Sequence, residues 1–213
     1  MQTTAILKSI ALAAVMVGLA TRPAAASFTI TLDTSSLSGT ELVAFGLTNG
    51  DLVSNNTIEL SDFTFDGGSA VAGTDVCSGL GCSGNLGSSV LLQDLGDQFF
   101  YQAFAPGSLL SFRLTTTNDF AGGTPDGFAM YICDDDSFTL CYSDDQNSLA
   151  LLVLELDGSA LTADSFTLTG ASDQGIDAPV VTAVPEPATL VLLGMAAAGV
   201  VARGRSIRGP KTT

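Results

Sequence analysis

The sequence predicts an all-β protein whose body is an antiparallel β-sandwich of the jelly-roll kind. Two observations carry this prediction. Short stretches of β-branched and aromatic residues alternate with polar residues, and clusters of Gly, Ser, Asn and Asp separate them. The body also lacks a run with the period of an amphipathic helix. About ten strands at such short spacing favour two packed sheets, with a β-barrel as the nearest competitor.

The strand candidates follow one another along the whole body. In chain order they are residues 28–32, 41–47, 58–65, 89–93, 98–104, 110–115, 128–133, 138–142, 149–156 and 165–169. Segments 28–32, 110–115 and 165–169 show the clearest alternation, which places one face of each strand on a core. The glycine-rich stretch 67–87 is predicted to be a long connection held by cysteine, since it lacks the Gly-Lys-Ser pattern of a phosphate loop.

The N-terminal residues 1–26 are predicted to form a signal peptide. Lys8 precedes an apolar run over residues 10–20, and Ala24, Ala25 and Ala26 follow it. A positive charge, an apolar core and small residues, in that order, are typical of a substrate of signal peptidase. We expect cleavage before Ser27, or one or two residues earlier because of Arg22.

The C-terminal end carries a second apolar segment, residues 188–202, followed by Arg203, Arg205 and Arg208. Its fifteen residues would span about 22 Å as a helix, less than the roughly 30 Å of a hydrocarbon core. We expect a short transmembrane helix whose basic end stays in the cytoplasm, which places the body on the outer side of the inner membrane. Residues 178–183 are expected to form an extended linker before it.

The end of the chain resembles the PEP-CTERM sorting signal of Gram-negative bacteria. The resemblance covers residues 184–213 and rests on Pro185-Glu186-Pro187, the apolar segment and the basic tail. It implies processing by an exosortase, with Pro185, Glu186 and Pro187 as the recognition residues. It also implies transient anchoring in the inner membrane, facing the periplasm, before release to the cell surface or extracellular matrix. Proteins with this signal are commonly associated with exopolysaccharide and the biofilm matrix.

The body, residues 27–177, is predicted to be one acidic domain. All 22 acidic residues but only one basic residue, Arg113, lie between Ser27 and Pro187, so this part of the chain has a net charge of −21. A negative field of this size excludes nucleic acid and anionic lipid as partners and attracts cations.

The four cysteines form two close pairs in the sequence. In an oxidising compartment we expect the disulfides Cys77–Cys82 and Cys133–Cys141, which proximity favours over the two crossed pairings. Zinc is the rival interpretation. It is disfavoured because neither spacing is that of a zinc ribbon and the chain has no histidine.

Loop carboxylates supply a second hypothesis, a calcium site. Asp134, Asp135 and Asp136 are the first choice of ligands, because hard oxygen atoms in loops suit calcium and the adjoining disulfide would preorganise them. No other cofactor is expected. The alternative interpretation is a solvated acidic face, since no EF-hand spacing is present.

The composition disfavours an enzyme. Without histidine or lysine in the body, no Ser-His, Ser-Lys or Cys-His nucleophile can form. Two binding functions follow as hypotheses. One is a structural or adhesive protein of the exopolysaccharide or biofilm matrix. The other is a carbohydrate-binding module of the same matrix, assisted by calcium, in which Tyr131 and Tyr142 would offer aromatic faces with polar tips.

Overall fold

The structure, a computed structural model, describes residues 25–134, 138, 140–144, 149–171 and 175–185. These residues form one short 3-10 helix, Ala163–Ser165, and thirteen strands. In chain order the strands are β1 Ala26–Asp33, β2 Glu41–Thr48, β3 Thr57–Thr64, β4 Ser69–Ala70, β5 Val76–Ser78, β6 Cys82–Gly84, β7 Val90–Gln93, β8 Gln98–Ala105, β9 Leu109–Thr116, β10 Asp126–Cys133, β11 Leu152–Leu156, β12 Phe166–Leu168 and β13 Val180–Ala183. The all-β prediction is confirmed.

The strands form two antiparallel sheets that pack face to face. Sheet A has the order β13-β1-β9-β3-β7-β6, and sheet B has the order β12-β11-β10-β2-β8-β4, with β5 also paired to β8. Neighbours are mostly distant in sequence: β9 lies between β1 and β3, and β2 lies between β8 and β10. The sandwich is therefore confirmed, while the jelly-roll connectivity stays a prediction.

Phenylalanine rings fill the space between the sheets. Phe45 of β2 lies at their centre, with its ring centroid 5.4 Å from Phe112 of sheet A and 6.2 Å from both Phe100 and Phe128 of sheet B. All four side chains are buried, because strand alternation turns one side of each strand inward. This core holds both sheets in fixed register, so the outer faces are rigid surfaces.

Both local disulfides are present. Cys77 lies on β5 of sheet B and Cys82 on β6 of sheet A, so this disulfide ties the two sheets together at their edge. Cys133 and Cys141 form an isolated antiparallel bridge and close the segment 133–141, called the disulfide loop below. The prediction of a strand over 138–142 is wrong for the described residues, which form one isolated bridge at Cys141 and no strand. Two hydrogen bonds flank the bridge, from Asp134 N to Leu140 O and from Tyr142 N to Ile132 O.

The expected linker over 178–183 is also corrected. Residues Val180–Ala183 are strand β13, which pairs with β1 as the edge of sheet A. The pairing continues past the strand, where Val184 N donates to Ser27 O at 2.8 Å. The physical reason is that β1 offers an open edge and Val181 packs against the core. The folded domain therefore extends to the start of the Pro-Glu-Pro motif.

Several sequence predictions fall outside the described residues. They are the signal peptide up to residue 24, the segment 188–202, Glu186, Pro187 and the arginines at 203, 205 and 208. Within the described part of the chain, no helix has the length and apolar character needed to span a membrane.

Candidate functional site

The outer faces of the two sheets differ in chemistry. Sheet A presents hydroxyl groups, and two pairs of them bond across strands: Ser27 with Thr115 at 3.1 Å and Thr31 with Ser111 at 3.2 Å. Sheet B instead presents aromatic rings. This contrast makes the outer face of sheet B the candidate binding surface, since partly exposed aromatic clusters are uncommon away from binding sites.

The aromatic patch consists of Phe99 and Tyr101 from β8, Tyr131 from β10 and Phe138 from the disulfide loop. All four side chains are partly exposed. The rings are in contact: Phe99 lies 6.3 Å from Tyr101 and 6.2 Å from Tyr131, and Phe138 lies 5.1 Å from Phe99 and 5.3 Å from Tyr101, as centroid distances. Offset and edge-to-face contacts of this kind stabilise aromatic clusters.

Small residues of β2 make room for the rings. Ala44 pairs with Tyr101 on one side and with Tyr131 on the other, so the two tyrosines flank it across three neighbouring strands. Gly46 pairs with Phe99, and a Cβ at Gly46 would lie 3.5 Å from the Phe99 ring. The rings therefore lie beside small residues of β2 and form an apolar surface about two strand spacings, roughly 10 Å, wide.

Phe138 reaches the patch by an uncommon backbone conformation. Its φ is 55°, in the left-handed region that non-glycine residues rarely occupy. Such a conformation costs about 1–2 kcal/mol and persists where surrounding contacts determine it. Here the edge-to-face contacts with Phe99 and Tyr101 are those contacts, so the disulfide loop adds the fourth ring at the cost of local strain.

The tyrosine hydroxyl groups give the patch a polar component. Burial raises the pKa of Tyr131 above its ordinary value, so its hydroxyl is neutral over the physiological range. A neutral phenol both donates and accepts hydrogen bonds. An apolar ring face beside such a hydroxyl matches a sugar ring, whose faces carry C–H groups and whose edges carry hydroxyls.

Sequence reasoning missed most of this site. It assigned the phenylalanines to the core, whereas Phe99 and Tyr101 lie outside and Gln98 and Gln102 point inward, both buried. The glutamines are satisfied there, because Gln98 Oε1 accepts from Gly81 N at 2.7 Å and Gln102 Oε1 accepts from Leu86 N at 2.8 Å. The sequence feature that could have indicated the site is the spacing in β8, where Gln98 and Gln102 lie on one face of the strand and Phe99 and Tyr101 on the other.

The predicted ligand pair, Tyr131 and Tyr142, is divided between two environments. Tyr131 belongs to the aromatic patch, whereas Tyr142 packs against the core. A hydrogen bond joins the Tyr142 hydroxyl to Glu41. Among the predicted calcium ligands, Asp134 is exposed, and Asp135 and Asp136 lie outside the described residues. Pro185 of the sorting motif is exposed directly after β13.

A buried carboxylate pair lies at the other end of β10. Asp126 Oδ1 accepts from Gly50 N at 2.8 Å, and its Oδ2 accepts from Asn56 Nδ2 at 2.7 Å. Asp94 Oδ2 accepts from the backbone N of Asn55 and Asn56, at 2.9 Å and 2.8 Å. The Asp126 carboxyl group lies beside Asp94 and favours its protonated form. Every oxygen in these contacts fastens a loop, so the pair is structural.

This pair predicts a pH dependence of stability. Burial, with the Asp126 carboxylate beside it, raises the pKa of Asp94 above its ordinary value. Because the folded state binds a proton at Asp94 more tightly than the unfolded chain, the contribution of Asp94 to the free energy of unfolding should rise as pH falls from neutral towards the ordinary pKa of aspartate. Urea denaturation over a series of pH values in this range should show this contribution in the wild type and its loss in Asp94→Asn. Equal rises in the two proteins would contradict the assignment.

The fold and the patch define a class: an all-β sandwich with a hydroxyl-bearing outer face and an opposite aromatic face. Residues 183–206 match the PEP-CTERM protein-sorting motif. The chain is therefore an exosortase-targeted exported protein, and the expected resemblance of its C-terminal end is confirmed.

Other similarities are weak. None of the curated proteins compared with the chain matches it. Among solved structures, the carbohydrate-binding module described as "PbXyn10C CBM APO" shares 16% identity over 81% of this chain and 98% of its own, with a TM-score of 0.22. Similarity at that level carries no argument about fold or ligand, so the body must be interpreted from its own residues.

Proposed function

We propose that the exported domain is an adhesive component of the extracellular matrix that binds neutral polysaccharide through the aromatic patch. The observation that carries the proposal is the patch itself, four contacting and partly exposed rings beside Ala44 and Gly46. An exposed aromatic ring can stack on the apolar face of a sugar ring without needing charged contacts. The role is binding rather than catalysis.

The charge of the domain favours a neutral ligand. Of the residues from Ser27 to Pro187, only Arg113 is basic, and it lies on β9 of the opposite sheet. The aromatic face therefore has no basic side chain from this part of the chain to pair with a uronate or sulfate group. A domain with a net charge of −21 would also repel an anionic polysaccharide at low salt.

The two ends of the described chain lie on sheet A, opposite this face. The hydrogen bond from Val184 N to Ser27 O places the start of the sorting motif beside the predicted signal-peptidase site, at the edge of sheet A. The aromatic patch lies on sheet B. A signal peptide over residues 1–26 and a transient membrane helix over 188–202 would thus hold the domain by one edge until signal peptidase and exosortase release it to the cell surface or matrix.

Affinity electrophoresis of residues 27–187 in gels containing neutral or uronate-rich polysaccharides tests the proposal. Retardation by a neutral polysaccharide is expected. Tyr101→Ala and Tyr131→Ala should each weaken binding about tenfold or more, because one stacked ring contributes roughly 1–3 kcal/mol where rings stack on flat ligands.

Phe120→Ala is the matched control, since Phe120 is an exposed aromatic residue outside the patch. It should bind as the wild type does. Melting temperatures of all variants identify any that are misfolded. Absence of retardation in every gel, or equal binding by the tyrosine variants, would reject sugar binding and leave a structural role in the matrix.

A further inference from the structure

Glu41 is a buried acid whose burial the fold does not compensate. Glu41 is the first residue of β2, and its side chain lies on the same face of the strand as those of Val43 and Phe45. It therefore points into the edge of the core, where it is only 4% exposed. The Tyr142 hydroxyl bonds to this carboxyl group. Glu41 Oε2, however, is buried and has no hydrogen-bond partner among the described residues.

This makes Glu41 different from the other buried acids of the domain. Both oxygens of Asp126 accept hydrogen bonds, and Asp94 receives two backbone N–H groups. A buried oxygen without a partner is costly, and most buried polar groups in proteins are paired for that reason. The Glu41 side chain therefore indicates a missing partner.

The partner cannot be a basic side chain of the domain. Arg113 is the single basic residue between Ser27 and Pro187, and it lies on β9 in sheet A, whereas Glu41 lies on β2 in sheet B. A second acid lies near Glu41 instead. Cys133 pairs with Leu42, so the next residue, Asp134, lies beside the start of β2, and it acts on Glu41 as a like charge. Two carboxylates and a phenol oxygen near one another form an oxygen-rich site.

We propose that a divalent cation of the calcium type binds between Glu41 and Asp134. Calcium accepts carboxylate, carbonyl and water oxygens in flexible geometry, so two protein carboxylates completed by water are a sufficient start for a site of modest affinity. Asp134 is exposed, which gives the ion a path from solvent. No group of three or more acidic, histidine or cysteine ligands occurs among the described residues, so the proposed site has two protein carboxylates.

Such an ion would connect the sheet to the disulfide loop. Glu41 belongs to β2, whose Ala44 and Gly46 lie beside the rings of the aromatic patch, and Asp134 belongs to the loop that supplies Phe138. The ion would therefore hold Phe138 in place. This inference goes beyond polysaccharide binding, and its test measures calcium binding and stability without polysaccharide, so that failure of one proposal is distinguishable from failure of the other.

The experiment uses processed protein purified from cells that express the full chain, stripped with a chelator and then melted in calcium chloride or in sodium chloride of equal ionic strength. Millimolar calcium should raise the melting temperature of the wild type by about 5 °C or more. The ion would bind only the folded state and so stabilise it, and a shift of this size is expected when the calcium concentration is about 100 times the Kd. Isothermal titration should give one calcium ion per chain.

Glu41→Gln should lose this shift, since it keeps the shape of the side chain and removes its charge. Asp134→Asn should reduce the shift. Because Asp134 is exposed, this variant should fold even if Glu41→Gln does not, so it provides an independent test. Glu59→Gln is the matched control, because Glu59 is an exposed strand glutamate on β3, and it should keep the full shift. No shift in the wild type would overturn the proposal. A full shift in both Glu41→Gln and Asp134→Asn would also overturn it, and would indicate that calcium acts by screening the negative charge of the whole domain.

Discussion

Asp126→Asn is expected to lower the free energy of unfolding by about 3 kcal/mol. Both oxygens of this buried side chain accept hydrogen bonds, one from Gly50 N and one from Asn56 Nδ2. The side-chain amide of Asn has one acceptor oxygen. Its NH₂ group would therefore face either Gly50 N or Asn56 Nδ2 and leave that donor without an acceptor. The loop that begins at Asn49 would lose its attachment to β10. Urea denaturation at neutral pH measures the change through the midpoint at constant m-value.

Asp94→Asn is the matched control within the same carboxylate pair. An Asn oxygen can still accept from the backbone N of Asn55 and Asn56, and its NH₂ group can donate to the neighbouring Asp126 carboxylate. We expect a change within about 1 kcal/mol. Equal destabilisation by the two substitutions would show that an amide cannot replace the Asp94 carboxyl group, and would contradict this account of the pair.

Phe45→Ala is expected to produce the largest loss, about 4 kcal/mol, because it leaves a cavity at the centre of the core. The Phe45 ring is fully buried and contacts rings from both sheets, including Phe63 and Phe112 of sheet A. Surrounding side chains cannot collapse into the space without shifting one sheet against the other. Chemical denaturation and thermal melting both report the loss.

Phe120→Ala controls for the removal of a phenylalanine as such. Phe120 is 40% exposed, so the change should be within about 0.5 kcal/mol. A loss at Phe45 of less than about 2 kcal/mol would mean that the two sheets do not depend on one central ring, and the interface between them would need another explanation.

Strand positions could be predicted from the sequence where apolar and polar residues alternate within a short stretch of chain. Phe28, Ile30 and Leu32 alternate with polar residues, and β1 forms around them because one face of the strand is buried. The same reasoning failed at 138–142. There the residues have β propensity, but the pairing of the described residues with the end of β10 is limited to the Cys133–Cys141 bridge and the two hydrogen bonds beside it. Propensity forms a strand only when a partner strand is available.

The candidate site could be predicted only in part. Tyr131 was identified, because it is a tyrosine beside a cysteine in a strand. Phe99 was not identified, and Tyr101 was not chosen as a ligand, since the sequence does not state which face of β8 meets the core. That choice depends on Gln98 and Gln102, whose buried amides bond to Gly81 and Leu86 in a connection far from β8 in sequence. Such non-local hydrogen bonds outweigh the simple rule that aromatic residues point inward.

The sequence by itself determined the features that depend on short stretches of chain: the sorting motif at 183–206, the all-β class and the two local disulfides. These follow from residue order and spacing, which need no partner distant in sequence. Tertiary structure alone decided the attachment of β13 to β1, the aromatic patch beside Ala44 and Gly46, and the burial of Glu41. Each of these results from pairing between strands that are far apart in the chain, and only the folded sheets bring those strands together.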